Sequence, residues 1–451
     1  MVSFDRWRLA ARVVASATLA TLLGMAVAAP PVAGPAIPDG FGVSVHGVTD
    51  PKEWQSMADA GFRIVRLDLT WEQVETAPGR YDWSYFDGVM AALRQHGLRP
   101  LLILDYGNPL YSKRVAIQGA DSKTKPRAAA PTSDREIDAF VSFAVEAVRR
   151  YRADNPIWEI WNEPEHAHMW PPKSDAMQFL RLATRTCEAM RRVEPTLTIY
   201  APGAAKVPTD AEPTPAFLRT LFASALPACL SGFSAHPYAW VNALDDSANT
   251  WRRLRGMLAG APKVREGFEF ASTESGVSTF KGQVSDATQA AYLVRMMLLN
   301  AESKVRVSIW YDWRDDGDDA DNPEHRFGVL RRDLSRKPAW QAMQVMSSRL
   351  RGERFACRLS PAEAGFTALA FQSAERTHVA VWTAEKTVAA QRVNVGRSAA
   401  VRGAVDMLGR PVAFTAVDAA TIELELGPQP AYLDLGTAPA DALACAAGAA
   451  S

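Results

Sequence analysis

Two glutamates end apolar runs in this sequence: Glu163 in "IWEIWNEPEH" and Glu274 in "FASTESG", 111 residues apart (274 − 163). An apolar strand that stops at an amide and a carboxylate holds that carboxylate in a fixed place. Paired carboxylates suit hydrolysis of a glycosidic bond: one protonates the departing oxygen, while the other attacks carbon or activates water. Their pKa values must differ, and their surroundings set that difference. Glu163 lies among Trp158, Trp161 and Pro164, an apolar setting predicted to favour its protonated form. Arg66, by its charge, and Tyr238, by its phenol, are the candidates to hold Glu274. A glutamate can also merely cap a strand or pair with an arginine. Two of them at strand ends, with these neighbours, favour chemistry.

Something must bring the two together. From Phe41 to about Leu350 short apolar runs alternate with amphipathic helices. Strands are predicted at 42–48, 63–70, 100–106, 157–162, 198–201, 232–236, 269–273 and 305–311. Among the helices between them are 51–60, 84–96, 175–192, 215–225, 287–300 and 338–350, and one opened by a capping box at Ser133 and Glu136. Eight such units over roughly 300 residues are the rhythm of an α/β protein of the (β/α)8 TIM-barrel class. A doubly wound sheet also alternates, but its glycine-rich phosphate loop is missing. After Arg354 come "FTALAFQ", "HVAVWTA", "QRVNV" and "TIELEL", short strand-forming runs that predict a small C-terminal β-sandwich. The expected domains are a barrel over 40–350, a sandwich over 351–436 and a loose alanine-rich tail over 437–451, tied only at Cys445.

In a parallel barrel the carboxyl ends of the strands converge on one mouth. In order they supply His46, Arg66, Asn108, Asn162, Glu163, His236, Tyr238, Glu274, Trp310 and Trp313. Trp313 and Trp170 are candidate platforms for a sugar ring, whereas Trp71, Trp83 and Trp340 read as core. The acidic stretch "DDGDDADNPEH" fails the spacing of a calcium loop, because Arg314 takes the third ligand position from Asp312. It reads as a polar rim. No metal or cofactor is expected.

Lys plus Arg (50) equals Asp plus Glu (50), so no net field favours nucleic acid or an anionic membrane. Arg6, Arg8 and Arg12 precede an apolar stretch ending in Ala26-Val27-Ala28, the pattern of an export signal cut near residue 28, with an uncleaved anchor as the lesser reading. Four cysteines suit an oxidising compartment. Keeping each bridge local pairs Cys187 with Cys229 and Cys357 with Cys445. Four free buried thiols are the alternative.

The stretches "WEIWNEPE", "TESG", "RLDLTWEQVE", "GRYDW", "HPY" and "WYDWRDDG" resemble the clan A glycoside hydrolases. They are most similar to family 39, and within it to bacterial exopolysaccharide endoglycosidases of Psl type, over residues 40–435. The resemblance implies Glu163 as general acid/base, Glu274 as nucleophile, Asn162 on the sugar 2-hydroxyl, and Arg66 and Tyr238 on the nucleophile. His236 becomes a sugar contact or a neighbour of the catalytic groups. It also implies a retaining mechanism, with the carboxyl groups roughly 5–5.5 Å apart. The substrate would be a polysaccharide cut internally, by a monomer acting in the periplasm or beyond beside an exopolysaccharide secretion machinery. A silent polysaccharide-binding protein of such a machinery and an exo-acting, xylosidase-like enzyme are the alternatives.

Overall fold

The computed structural model describes residues 34–118, 124–280, 284–360, 365–384, 388–396 and 400–446. The expected export signal lies outside them. Eight apolar runs form parallel strands: β1 (Phe41–Ser44), β2 (Ile64–Thr70), β3 (Arg99–Asp105), β4 (Ile157–Ile160), β5 (Thr198–Ala204), β6 (Gly232–Ala235), β7 (Glu269–Ser275) and β8 (Val307–Trp310). They close into a barrel in chain order, with β8 paired to β1. Side chains alternate along each strand, so one set points inward and the other meets the helices. Ile64, Leu101, Ile103, Ile157, Tyr200, Ala271, Val307 and Ile309 form one packed cluster that fills the barrel floor. One inward step further along, the same strands carry Arg66, Glu159 and Thr273. A dry apolar floor beneath a polar layer is what the inward positions encode.

The main helices are α1 (Lys52–Ala60), α2 (Ser84–Gln95), α3 (Asp134–Tyr151), α4 (Ala176–Val193), α5 (Ala216–Phe222), α6 (Ser247–Leu258), α7 (Asp286–Glu302) and α8 (Pro338–Arg349). The capping box opens α3 as predicted: Ser133 Oγ accepts from Glu136 N–H, and the Glu136 carboxylate accepts from Ser133 N–H at 2.7 Å. Asp175 caps α4 by accepting from Met177 N–H and Gln178 N–H. The sequence pattern did not single out α6, because it buries only Trp251 and Leu254 and its apolar stripe is thin. Among the described residues, no helix is long and apolar enough to cross a membrane.

The C-terminal region holds β9 (Arg354–Arg358), β10 (Phe366–Gln372), β11 (Thr377–Thr383), β12 (Ala389–Asn394), β13 (Gly403–Asp406), β14 (Phe414–Ala416), β15 (Thr421–Leu426) and β16 (Ala431–Asp434). They make a sheet ordered β9-β10-β11-β16-β13 and a second ordered β12-β15-β14. In the larger sheet Leu369, Phe371, Ala380, Trp382 and Tyr432 join the barrel's core. Their alternates Ala368, Ala370, Val379, Val381 and Leu433 join the sandwich's own core. Covering on both faces explains why "FTALAFQ" and "HVAVWTA" are almost wholly apolar. Arg358 adds a two-pronged ion pair to Glu302 of α7 at 2.7 and 2.8 Å.

Both predicted disulfides are present, Cys187–Cys229 and Cys357–Cys445. They close loops of 42 and 88 residues. The tail departs from expectation. Ala438 and Leu443 enter the sandwich core, and Ala446 N–H donates to Arg358 O at 2.8 Å, so its described part is packed. Two apolar side chains with backbone pairing hold it in addition to the disulfide.

Candidate active site

Arg66 is the hub. It faces inward from β2, is 4% exposed, and spreads its guanidinium across the polar layer. Nε donates to Glu159 Oε2 at 2.9 Å, Nη1 to Glu274 Oε2 at 2.9 Å, and Nη2 to Asn162 Oδ1 at 2.8 Å. Burial opposes its charge, but Glu159 and Glu274 outweigh that and push its pKa up. Glu274 is therefore held from below by Arg66. On its other oxygen, Oε1, it accepts from Tyr238 at 2.8 Å. Tyr238 is 41% exposed, yet its hydroxyl turns inward. Burial of that hydroxyl, with the charge of Glu274, pushes the phenol well up, so it stays a donor.

The end of β4 is built differently. Regular strand geometry stops at Ile160, short of the predicted 162, because Trp161 (φ 70°) and Glu163 (φ 48°) adopt left-handed backbone. That conformation is costly for side chains of this size and persists where the surroundings impose it. Here Trp161 N–H donates to Leu104 O at 3.1 Å and Glu163 N–H to Gly203 O at 3.2 Å. Gly203 itself permits the close approach: a Cβ there would lie 3.1 Å from His236 Nε2 and 3.2 Å from Glu159 Oε1. The kink swings the Glu163 carboxylate over the barrel, where Oε1 meets His236 Nδ1 at 2.7 Å. His236 Nε2 lies 3.3 Å from Arg66 Nη2. A guanidinium only donates, so Nε2 accepts and the imidazole proton sits on Nδ1, facing Glu163.

Glu163 corrects an expectation. Burial does push its carboxyl up, as its apolar sequence neighbours suggest. The hydrogen bond and charge of His236, helped by His166 and Arg66, outweigh burial, and the net direction is down. On His236, burial opposes the charged ring while Glu274 and Glu163 favour it and the net direction is up, although a second proton would have to displace the Arg66 contact at Nε2. The two groups thus share one proton site 2.7 Å across. Oxygens of Glu163 and Glu274 and a ring nitrogen of His236 all lie within 4.8 Å of one another.

The structure sorts the remaining sequence candidates. Asn162 belongs to the constellation: besides Arg66, its Nδ2 donates to Tyr106 OH at 3.1 Å. His236 sits under Glu163 with its side chain 0% exposed, so it reaches a substrate only through Glu163. Asn108 braces a loop instead of facing the cleft, with Nδ2 donating to Glu75 O at 2.9 Å and Oδ1 accepting from Leu110 N–H. Trp313, Trp310 and Trp170 are 1%, 0% and 1% exposed, which removes all three as open platforms. Their indoles are core: Trp313 Nε1 donates to Glu53 Oε2, Trp310 Nε1 to Phe327 O, and Trp170 packs between Trp161 and Phe179. His46 does lie at the mouth, 2.8 Å from Asp316 Oδ2 and 3.5 Å from Asp312 Oδ2. Burial opposes its charge, but the bond to Asp316 and the charge of Asp312 push it up to about 9.

Sequence reasoning passed over Glu159 and Tyr311. Glu159 is fully buried, bonded to Arg66 and to Thr273 Oγ1 at 2.7 Å. A lone charge inside the apolar "IWEIW" was the signal available. Tyr311 follows β8, edge-on to His46 and Phe327, with its hydroxyl pushed up by burial and by Glu274. Gly276 makes room for it, since a Cβ there would lie 2.2 Å from Tyr311 O. Among the described residues two clusters have the donor types for a cation: His46 with Asp312 and Asp316, and Glu163 with His236 and Glu274. In the first the imidazolium already supplies the positive charge. In the second Arg66 does.

A parallel eight-stranded barrel with two glutamates at the ends of its fourth and seventh strands, bound by arginine, tyrosine and histidine, defines a glycoside hydrolase. The chain belongs to the glycosyl hydrolases family 39, whose profile matches residues 61–417. Among solved structures it is similar to a family 39 glycoside hydrolase from the gut symbiont Bacteroides cellulosilyticus WH2. The identity is 27% and the TM-score 0.73, covering 88% of this chain and 81% of that one. A GH39 β-xylosidase from Caulobacter crescentus shares the fold at 17% identity and a TM-score of 0.62, covering 90% and 98%. The GH39 enzyme from Xanthomonas axonopodis pv. citri does so at 17% and 0.60, covering 90% and 96%. No curated protein sequence matches the chain.

Proposed function

We propose that the protein is a retaining, endo-acting hydrolase of an exopolysaccharide, with Glu274 as nucleophile and Glu163 as acid/base. The observation that carries this reading is that one oxygen of Glu163 lies within 4.8 Å of one oxygen of Glu274. Direct attack needs carboxyl groups about 5–5.5 Å apart, whereas inversion through a water needs about 6.5–9.5 Å. In the first step a Glu274 oxygen bonds to the anomeric carbon as the glycosidic C–O bond breaks. The leaving oxygen takes a proton from Glu163, which enters this step protonated while His236 keeps its own proton on Nδ1. In the second step Glu163 removes a proton from water, the water oxygen bonds to the anomeric carbon, and the ester to Glu274 breaks. Arg66 and Tyr238 hold Glu274 throughout, and Asn162, bonded to Arg66 beside it, would bind the sugar 2-hydroxyl.

The endo reading draws on two separate cavities that carry residues from the carboxyl ends of the strands. One cavity is lined by His46, Asp68, Thr70 and Gln73, the other by Tyr238, Trp240 and Phe327. The disulfides support an oxidising compartment, where the protein would act as a monomer beside a secretion machinery. The exo-acting, xylosidase-like reading draws on the Caulobacter β-xylosidase fold. One experiment decides: incubate the producing organism's exopolysaccharide with wild type and with Glu274→Gln, and follow chain length and product anomer. Endo action predicts early appearance of mid-length chains with retained configuration from wild type alone. Release of monosaccharide only, or inverted product, contradicts it.

A further inference from the structure

The two sides of the cleft differ in chemistry. Beside β1 and β2 the wall mixes His46, Asp68, Thr70 and Gln73, which offer partners to hydroxyl groups, with apolar neighbours such as Trp54 and Leu67. Beyond Glu274, past the ends of β6, β7 and β8, lies a cavity of about 530 Å³ walled by Tyr238, Trp240, Val277, Phe280, Val284 and Phe327. Its size falls in the range of about 300–1,000 Å³ for small-ligand pockets. Trp240, 76% exposed, is the most exposed large aromatic at this mouth.

Several polar atoms of the described wall are already engaged. Tyr238 OH donates to Glu274, and Ser278 Oγ donates to Pro323 O at 2.5 Å. Tyr292 OH donates to Ala239 O at 2.9 Å, and Val277 O accepts from Gln289 Nε2 at 2.9 Å. Among the described residues the wall therefore presents mostly carbon. A hydroxyl pressed against it would lose its water without gaining a partner, while a methyl group would gain burial.

We propose that this cavity seats a sugar unit of the polymer that turns a methyl-bearing face to the protein, stacked on Trp240. A 6-deoxy carbon and an O-acetyl group both present that face. The inference deepens the endo-hydrolase reading and rests on it for the course of the polymer, but binding tests it without turnover. The probe protein is full-length Glu274→Gln. Its ligands are matched gluco and galacto sets of methyl glycosides: the parent, the 6-deoxy and the 6-O-acetyl compound, titrated by ligand-observed NMR. At least one methyl-bearing arm should bind about tenfold more tightly than its parent, the usual value of one methyl group in an apolar pocket. Which arm wins identifies deoxy sugar or ester as the source. Adding Trp240→Ala should erase the preference, and adding Trp240→Phe should keep it. Equal or tighter binding of the parents, no detectable binding by any compound, or a preference surviving Trp240→Ala overturns the proposal. Failure of the wild type to hydrolyse polysaccharide would sink the catalytic reading and leave this binding result standing.

Discussion

The ends of β4 and β7 solve one problem, holding a carboxylate over a barrel, by opposite means. At β7 the strand continues past Glu274 to Ser275, with a register shift against β8 between Ser272 and Ser275, and Glu274 is gripped at both oxygens by Arg66 and Tyr238. At β4 the strand breaks off at Ile160, left-handed backbone carries Glu163 forward, and a buried imidazole bonds one of its oxygens. A nucleophile gains from being immobile, since the attacking atom must stay aligned with carbon. An acid/base must change protonation within each cycle, and a titratable partner lets it do so. On the proposed roles, the difference separates positioning at Glu274 from proton handling at Glu163.

The largest break in that comparison is Glu274→Ala. It should lower kcat/KM by about 10⁴–10⁶-fold on every substrate, as removal of a covalent nucleophile does. Glu163→Ala should cost about 10²–10⁴-fold on a polysaccharide, and far less in the first step for an aryl glycoside with a good leaving group. Steady-state rates on both substrate types check this; equal losses on both would merge the two roles. His236→Asn tests the proton pair. His236 lowers the Glu163 carboxyl against burial, which raises it. Without His236 burial dominates, the Glu163 pKa rises, and the alkaline limb of the kcat/KM profile moves to higher pH. A limb that stays put or moves down would remove His236 from proton handling.

A smaller effect lies at the end of β3. Asp105 is fully buried, and burial together with the nearby charge of Asp68 pushes its carboxyl well up. An acid raised on folding adds stability below its unfolded pKa, about 3.9, and loses it as pH rises toward the folded value. Asp105→Asn should therefore raise Tm at pH 7 more than at pH 4. Thermal melts at the two pH values test this, and a uniform fall in Tm would contradict it.

The barrel and the sandwich were legible because burial writes itself as apolar period and run length. So were the two glutamates, since each interrupts such a run. The tryptophans misled: an indole reads the same in sequence whether its ring faces a cleft or a core, and at Trp170, Trp310 and Trp313 the core won. Trp240, the exposed one, follows "HPY" in a loop with no period to mark it. His236 was found, but its contact with Glu163 depends on the kink at Trp161, and sequence pattern carries no sign of a positive φ on a tryptophan. That kink also explains why the apolar surroundings of Glu163 predicted the wrong direction for its pKa.

The central claim is the division of labour between Glu163 and Glu274, and azide rescue tests it most directly. Glu163→Ala, given an aryl glycoside of the correct sugar, should complete the first step and stall as a glycosyl ester on Glu274, visible as an intact-mass increase. Azide needs no general base, so it should restore turnover and yield a glycosyl azide of retained configuration, while Glu274→Ala shows neither adduct nor that product. Rescue of Glu274→Ala alone, with inverted glycosyl azide, would mean that the two roles are exchanged.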